Sequence, residues 1–180
     1  MAHKVGPILI SREAIAARVR TLGDELATAY AGREPVLVAI MKGCVLFLAD
    51  LARAWPGPMD LEFVMAESYC GTTPREVRLS LAPDLGRRVR GRPALVVDDI
   101  FDTGRTLSAV SRAVRALGPT DLKTLVFLRK LRPRPEVPAC LPDWVGFDIP
   151  DRFVVGYGLD YDGRYRNLPY VAAFDPAEDG

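Results

Sequence analysis

Apolar positions along the chain follow two rhythms. From Ser11 to Gly32, "SREAIAARVRTLGDELATAYAG" places Ile15, Val19, Leu22, Leu26 and Tyr30 on one stripe of a 3.6-residue repeat. Ser11 is a suitable N-cap and Gly32 a suitable stop, so the spacing predicts an amphipathic helix. "PVLVAI", Pro35–Ile40, is instead a continuous apolar run, as expected of a strand buried on both faces. After "MKG", "CVLFLADLARAW" predicts a second helix, ended by Pro56. "LEFVMA", Leu61–Ala66, predicts another strand.

The next stretch, "ESYCGTTPREVRLSLAPDLGRRVRGRP", is polar and rich in Arg, Gly and Thr, and reads as a loop with short strand pieces. "ALVVDD" predicts a strand, and Thr106–Leu117 a helix with Leu107, Val110, Val114 and Leu117 on one face. Gly118-Pro119 ends that helix, and "KTLVFL" is a further strand. Strands alternating with helices across short connections predict an α/β fold: an open, mainly parallel sheet flanked by helices. The tail differs. "DWVGFDIP", "FVVGYGLDYD" and "YVAAFD" are short strand-like pieces between turns, read as a strand and a cap over the sheet's edge. No repeat, low-complexity segment or linker divides the 180 residues. They read as one domain, with a core of about 11–140 and a hood of about 141–180 that includes the N-terminal segment.

Composition narrows the chemistry. The formal net charge of +1 gives no bulk reason to expect nucleic-acid or membrane binding. Cys44, Cys70 and Cys140 are scattered and odd in number, which argues against a disulfide framework or a zinc site. No apolar run approaches the ~18–20 residues of a membrane span, and "MAHKVGPILI" has no signal-like apolar region. A cytoplasmic location is the expectation. His3 is the single histidine, near the N-terminus. Histidine triads and histidine-based metal sites are thereby set aside, so acid–base work falls on carboxylates, lysine or tyrosine.

One segment concentrates candidate chemistry. "ALVVDDIFDTGRTL" brings Asp98, Asp99 and Asp102 to the carboxyl end of a buried strand, the place where ligands bind in open α/β sheets. Thr103, Gly104, Arg105 and Thr106 then form the turn that opens a helix. Exposed amides and the positive end of the helix dipole make such a turn an anion site, and Gly104 permits close backbone approach. Two carboxylates beside an anion cradle are awkward unless they meet sugar hydroxyls or a metal ion. A sugar phosphate satisfies both demands. Capping alone calls for one aspartate, not three in five positions.

The segment resembles the signature of the type I phosphoribosyltransferase family, whose members bind 5-phosphoribosyl 1-diphosphate with Mg²⁺. "IMKG" resembles that family's pyrophosphate loop, and "ESYCGTT" its mobile Ser-Tyr loop. "DWVGFDIPDRFVVGYGLDYDGRYRNLPYV" is similar to the purine-binding hood of hypoxanthine-guanine phosphoribosyltransferases. The likeness runs from Ile8 to about Val171. It implies the type I phosphoribosyltransferase fold and transfer of phosphoribosyl to N9 of hypoxanthine and/or guanine, giving IMP or GMP and pyrophosphate.

Position by position, the resemblance implies these roles. Asp98 and Asp99 hold the ribose hydroxyls, directly or through Mg²⁺. Asp102 is the general base toward the purine N7 proton. Thr103, Gly104, Arg105 and Thr106 bind the 5′-phosphate. Lys42 and Gly43 contact pyrophosphate, with a non-proline cis peptide before the lysine. Lys130 donates to the purine 6-oxo group, with Arg129 and Arg132 as the neighbouring alternatives. Phe153 stacks on the purine, and the Val154 backbone reads its edge. Asp160 helps hold a second Mg²⁺, Arg166 binds pyrophosphate, and Ser68 and Tyr69 close over the site. Family members form homodimers or homotetramers. Lysine is scarce among the 24 basic residues, being confined to Lys4, Lys42, Lys123 and Lys130. Two of these fall at implied site positions.

Two other readings stay open at this stage. One is an RNA-binding regulator of the pyrimidine-attenuator type on the same fold, whose signature typically lacks the aspartate before Thr-Gly. The other is a xanthine-preferring enzyme.

Overall fold

The computed structural model describes residues 5–68, 77–132 and 141–175. Its main sheet has six strands: β2 (Val36–Met41), β3 (Asp60–Ser68), β4 (Val77–Leu81), β5 (Pro93–Phe101), β6 (Asp121–Leu131) and β7 (Trp144–Pro150). Their order is β4-β3-β2-β5-β6-β7. All neighbours run parallel except β4, which pairs antiparallel with β3.

Among the described residues four helices complete the layers: α1 (Arg12–Ala29), α2 (Val45–Ala54), α3 (Leu85–Val89) and α4 (Arg105–Ala116). Each face of the sheet has its own core. Ile15, Val19, Leu22 and Leu26 of α1 pack with Phe47, Leu48 and Leu51 of α2 against Leu37, Ala39, Leu95 and Val97. On the other side Leu107, Val110 and Val114 of α4 join Leu85 and Val89 over Val36, Val38 and Val96. Alternate residues of β2 and β5 thus serve opposite cores, which is why their sequences are continuously apolar. Ser11 caps α1 by accepting from the Ala14 amide at 3.2 Å.

The polar stretch after β3 holds more order than its composition suggests. Strand β4 is one of the short strand pieces expected there, and the short helix α3 corrects the rest of the loop reading. α3 buries only Leu85 and Val89, too few to impose a visible period, whereas β4 alternates half-buried with exposed positions. The aspartate-rich strand is also longer than its apolar stretch, since β5 continues to Phe101 through Asp98 and Asp99. Pairing with β6 extends from Pro93 to Phe101 and carries the carboxylates into the sheet.

The tail divides as its pieces suggest. β7 extends the main sheet as an edge strand beside β6. Arg18 of α1 donates to the Val145 and Gly146 carbonyls. The remainder forms a second sheet in the order β1 (Ile8–Ile10), β9 (Val171–Ala173), β8 (Val154–Val155). Chain order reverses between β2 and β5, so a crevice opens at their carboxyl ends.

Candidate active site

That crevice is a cavity of about 430 Å³, lined by Lys42, Gly43, Asp98, Asp99, Asp102, Thr103, Gly104, Arg105, Thr106, Asp160 and Arg166. Residues 42–43 follow β2, residues 98–106 end β5 and open α4, and Asp160 and Arg166 come from the hood.

The first wall is the turn after β2. The Met41–Lys42 peptide is cis, and the Lys42 carbonyl accepts from the Val45 amide at 3.2 Å. Gly43 must be glycine. A Cβ there would lie 1.5 Å from Asp99 Oδ2, so the Asp99 carboxylate fills the space that a side chain would need.

Asp98 is buried in the second wall, and its Oδ1 accepts from the Asp99 amide at 2.9 Å. Burial, reinforced by the Asp99 charge, pushes its carboxyl well above the usual range. Asp99 is half-buried and is also pushed up, chiefly by burial, while the Arg166 charge opposes the rise. Both carboxylates are better accommodated once a cation or hydroxyl donors face them.

The third wall is the start of α4. Gly104 takes φ 79° at the N-cap, a left-handed conformation that disfavours a side chain. Gly104 offers no capping side chain, and the Arg105 amide donates to Thr103 Oγ1 at 3.5 Å. A helix start closed this loosely can receive an anion, with the helix dipole behind it.

Asp102 sits at the bend between β5 and this turn. Arg132 Nη1 donates to Asp102 Oδ1 at 2.6 Å, and Lys130 Nζ lies 3.5 Å from Oδ2. Both cations also approach Asp151: Lys130 Nζ at 3.7 Å and Arg132 Nε at 3.6 Å. Arg129, on the opposite face of β6, makes a two-pronged pair with Asp148 at 2.6 and 2.9 Å. Strand alternation thus separates Arg129 from the cavity and turns Lys130 toward it.

The hood closes the remaining side. Asp160 Oδ1 pairs with Arg166 Nη2 at 2.7 Å, and its Oδ2 accepts from the Gly163 amide at 2.8 Å. Arg166 Nη1 donates to the Gly158 carbonyl at 2.6 Å. The Phe153 ring is 41% exposed and rests edge-on against Tyr161, with Phe174 behind it. Val154 lies on β8, the edge of the small sheet. Opposite it, Ala173 spends both backbone groups on the β1 side, with Pro7 and Gly6. The Phe153 carbonyl accepts from the Phe174 amide. Alternation therefore turns the Val154 N–H and C=O away from β9, outward from the sheet.

The sequence model of the phosphoribosyl transferase domain matches residues 9–162. Hypoxanthine-guanine phosphoribosyltransferase of Mycobacterium tuberculosis is 40% identical over 178 residues, covering 94% of this chain and 86% of that one. The enzyme of the same name from Bacillus subtilis is 37% identical, covering 98% and 97%. The chain belongs to the hypoxanthine-guanine phosphoribosyltransferase family. Its fold agrees with that of the hypoxanthine phosphoribosyltransferase of Trypanosoma cruzi, solved in complex with its product IMP. The TM-score is 0.87 at 34% identity, with 98% of each chain covered.

Of the positions that the family resemblance singles out, most line the cavity. Lys130, Phe153 and Val154 lie outside its lining. Lys130 reaches the site through Asp102. Ser68 ends β3, with its side chain outside the described residues, and Tyr69 lies outside them altogether. Asp151, Arg132 and Gly158 were not singled out for these roles. Asp151 and Arg132 complete the charge cluster around Asp102. Gly158 abuts the turn at Gly43, where a Cβ at 158 would come within 2.0 Å of the Gly43 carbonyl oxygen. The "VGYG" of the hood, Val155–Gly158, is the sequence signal of that close approach.

The carboxylates suit a hard divalent cation in donor type. Among the described residues no three acidic, cysteine or histidine side chains converge on one point. Asp98, Asp99 and Asp160 line the same cavity, so a cation held there would meet carboxylates from both the sheet and the hood.

Proposed function

We propose that this chain is a purine-salvage transferase that moves the 5-phosphoribosyl group from 5-phosphoribosyl 1-diphosphate to N9 of hypoxanthine and/or guanine, giving IMP or GMP and pyrophosphate. One observation carries the reading. A helix start with glycine at its N-cap, the buried Asp98 with the half-buried Asp99, and a third aspartate, Asp102, line one cavity beside Lys42 and Arg166.

The roles follow from chemistry. The amides and hydroxyls of Thr103–Thr106 hold the 5′-phosphate. Asp98 and Asp99 accept from the ribose diol. As the C1′–oxygen bond breaks, positive charge grows on the sugar and negative charge on the leaving diphosphate. Lys42 and Arg166 stabilise the second. The purine rests on Phe153, with the Val154 backbone at its edge and Lys130 donating to the 6-oxo oxygen. The N9–C1′ bond forms and the N7 proton passes to Asp102. Asp98, Asp99 and Asp160 would hold Mg²⁺, which would supply charge neutralisation for the leaving diphosphate. Ser68 and Tyr69 are assigned to closure over the site, which excludes competing water.

A single domain in a homodimer or homotetramer, located in the cytoplasm, goes with this reading. Relatives named as transferases support the enzyme over the RNA-binding regulator, and so does Asp102 before Thr-Gly. The deciding experiment is incubation with 5-phosphoribosyl 1-diphosphate, Mg²⁺ and hypoxanthine, guanine or xanthine in turn, following nucleotide formation. IMP and GMP formation is expected. Failure with both hypoxanthine and guanine overturns the reading, and turnover of xanthine alone replaces it with the xanthine-preferring one.

A further inference from the structure

In the ligand-free chain, the carboxylate read as the proton acceptor is already occupied. Arg132 Nη1 sits 2.6 Å from Asp102 Oδ1, a length typical of a charge-assisted hydrogen bond. Lys130 stands 3.5 Å from the other oxygen. A purine N–H seeking Asp102 meets a satisfied acceptor. The two cations differ in freedom. The Lys130 side chain is 13% exposed between Asp102 and Asp151, whereas that of Arg132 is 34% exposed. Arg132 also has a second partner within reach, because its Nε is 3.6 Å from Asp151 Oδ2. It can give up Asp102 without losing a counter-charge.

We infer that Arg132 is a place-holder: it occupies Asp102 until the purine arrives, and the purine N–H displaces it toward Asp151. The inference rests on the reading of Asp102 as proton acceptor. It makes Arg132 a positioning residue that sets the apparent purine affinity and holds the empty carboxylate in place. It also gives selectivity, because a ring with no hydrogen to donate at that edge has nothing with which to replace the guanidinium. A partly exposed ion pair is weak, so the closed and open arrangements differ little in population. The competent fraction then lowers purine affinity only by a small factor.

The experiment is steady-state kinetics of the full-length protein with Arg132→Leu, Arg132→Lys and, separately, Asp102→Asn. Arg132→Leu is expected to lower the KM for hypoxanthine by about two- to sixfold, leaving the KM for 5-phosphoribosyl 1-diphosphate in place. Arg132→Lys keeps a cation and is expected to return most of the wild-type value, which separates charge competition from lost packing. A hypoxanthine KM unchanged or raised in Arg132→Leu, with Asp102→Asn inactive, overturns the place-holder and leaves the base assignment standing. Near-normal turnover of Asp102→Asn removes the base assignment itself, whatever Arg132→Leu does.

Discussion

Gly158 of the hood and Gly43 of the turn after β2 are in such close contact that no side chain fits between them. A Cβ on Gly158 would lie 2.0 Å from the Gly43 carbonyl oxygen, and Gly158 already adopts φ 98°. One on Gly43 would meet Asp99 Oδ2 at 1.5 Å. Hood, turn and carboxylate wall are thus in register through two glycines. Gly158→Ala carries both strain and clash, and should destabilise the protein by roughly 1–3 kcal/mol, read by urea unfolding. Gly43→Ala should displace Asp99 and raise the KM for 5-phosphoribosyl 1-diphosphate by about tenfold or more. Wild-type kinetics in Gly43→Ala would show that Asp99 is not needed where it stands.

Asp102→Asn retains the shape of the side chain but cannot take a proton. It should lower kcat by at least ~10²-fold, the scale of general-base loss, with 5-phosphoribosyl 1-diphosphate binding largely intact. Single-turnover nucleotide formation, together with a separate binding measurement, checks both halves.

Phe153 holds an exposed ring against Tyr161 and Phe174. Removing it leaves the phosphate cradle untouched. Phe153→Ala should raise the purine KM by about tenfold, in keeping with base–aromatic stacking of ~1–3 kcal/mol, and should change the KM for 5-phosphoribosyl 1-diphosphate little. An unchanged purine KM removes the stacking role.

Asp148 on β7 pairs with Arg129 on β6, and that hydrogen bond holds its carboxyl below the usual 3.8. A carboxyl lowered in the folded state stabilises the fold above about pH 4, and the gain is lost as pH falls through the folded value. The pair is partly exposed, so its contribution is small. Asp148→Asn should cost ~0.5–1 kcal/mol at pH 7 and progressively less as the pH falls below about 4. Parallel denaturant curves at the two pH values test the sign.

The elements legible in the sequence are those set by neighbours along the chain. The buried stripe of α1, the two-faced strands β2 and β5, and the anion-binding turn at 103–106 all follow from local periodicity, capping and glycine conformation. The carboxylates of Asp98, Asp99 and Asp102 were legible as a group because one strand carries them. α3 was not, because a five-residue helix with two buried positions leaves no rhythm to read.

What the tertiary structure alone decided are the relations across strands. The β6–β7 register sets Lys130 opposite Ile149 and Arg129 opposite Asp148. One cation of that strand is thereby committed to an edge pair and the next turned to Asp102. The seating of Arg132 on that aspartate, of Asp99 against Gly43 and of Gly158 against the same turn depends on strand order and hood docking. A linear chain specifies which groups are present and how each short segment bends. Long-range packing specifies which of them come within a hydrogen bond of one another, because those distances are fixed only when separate segments share one core.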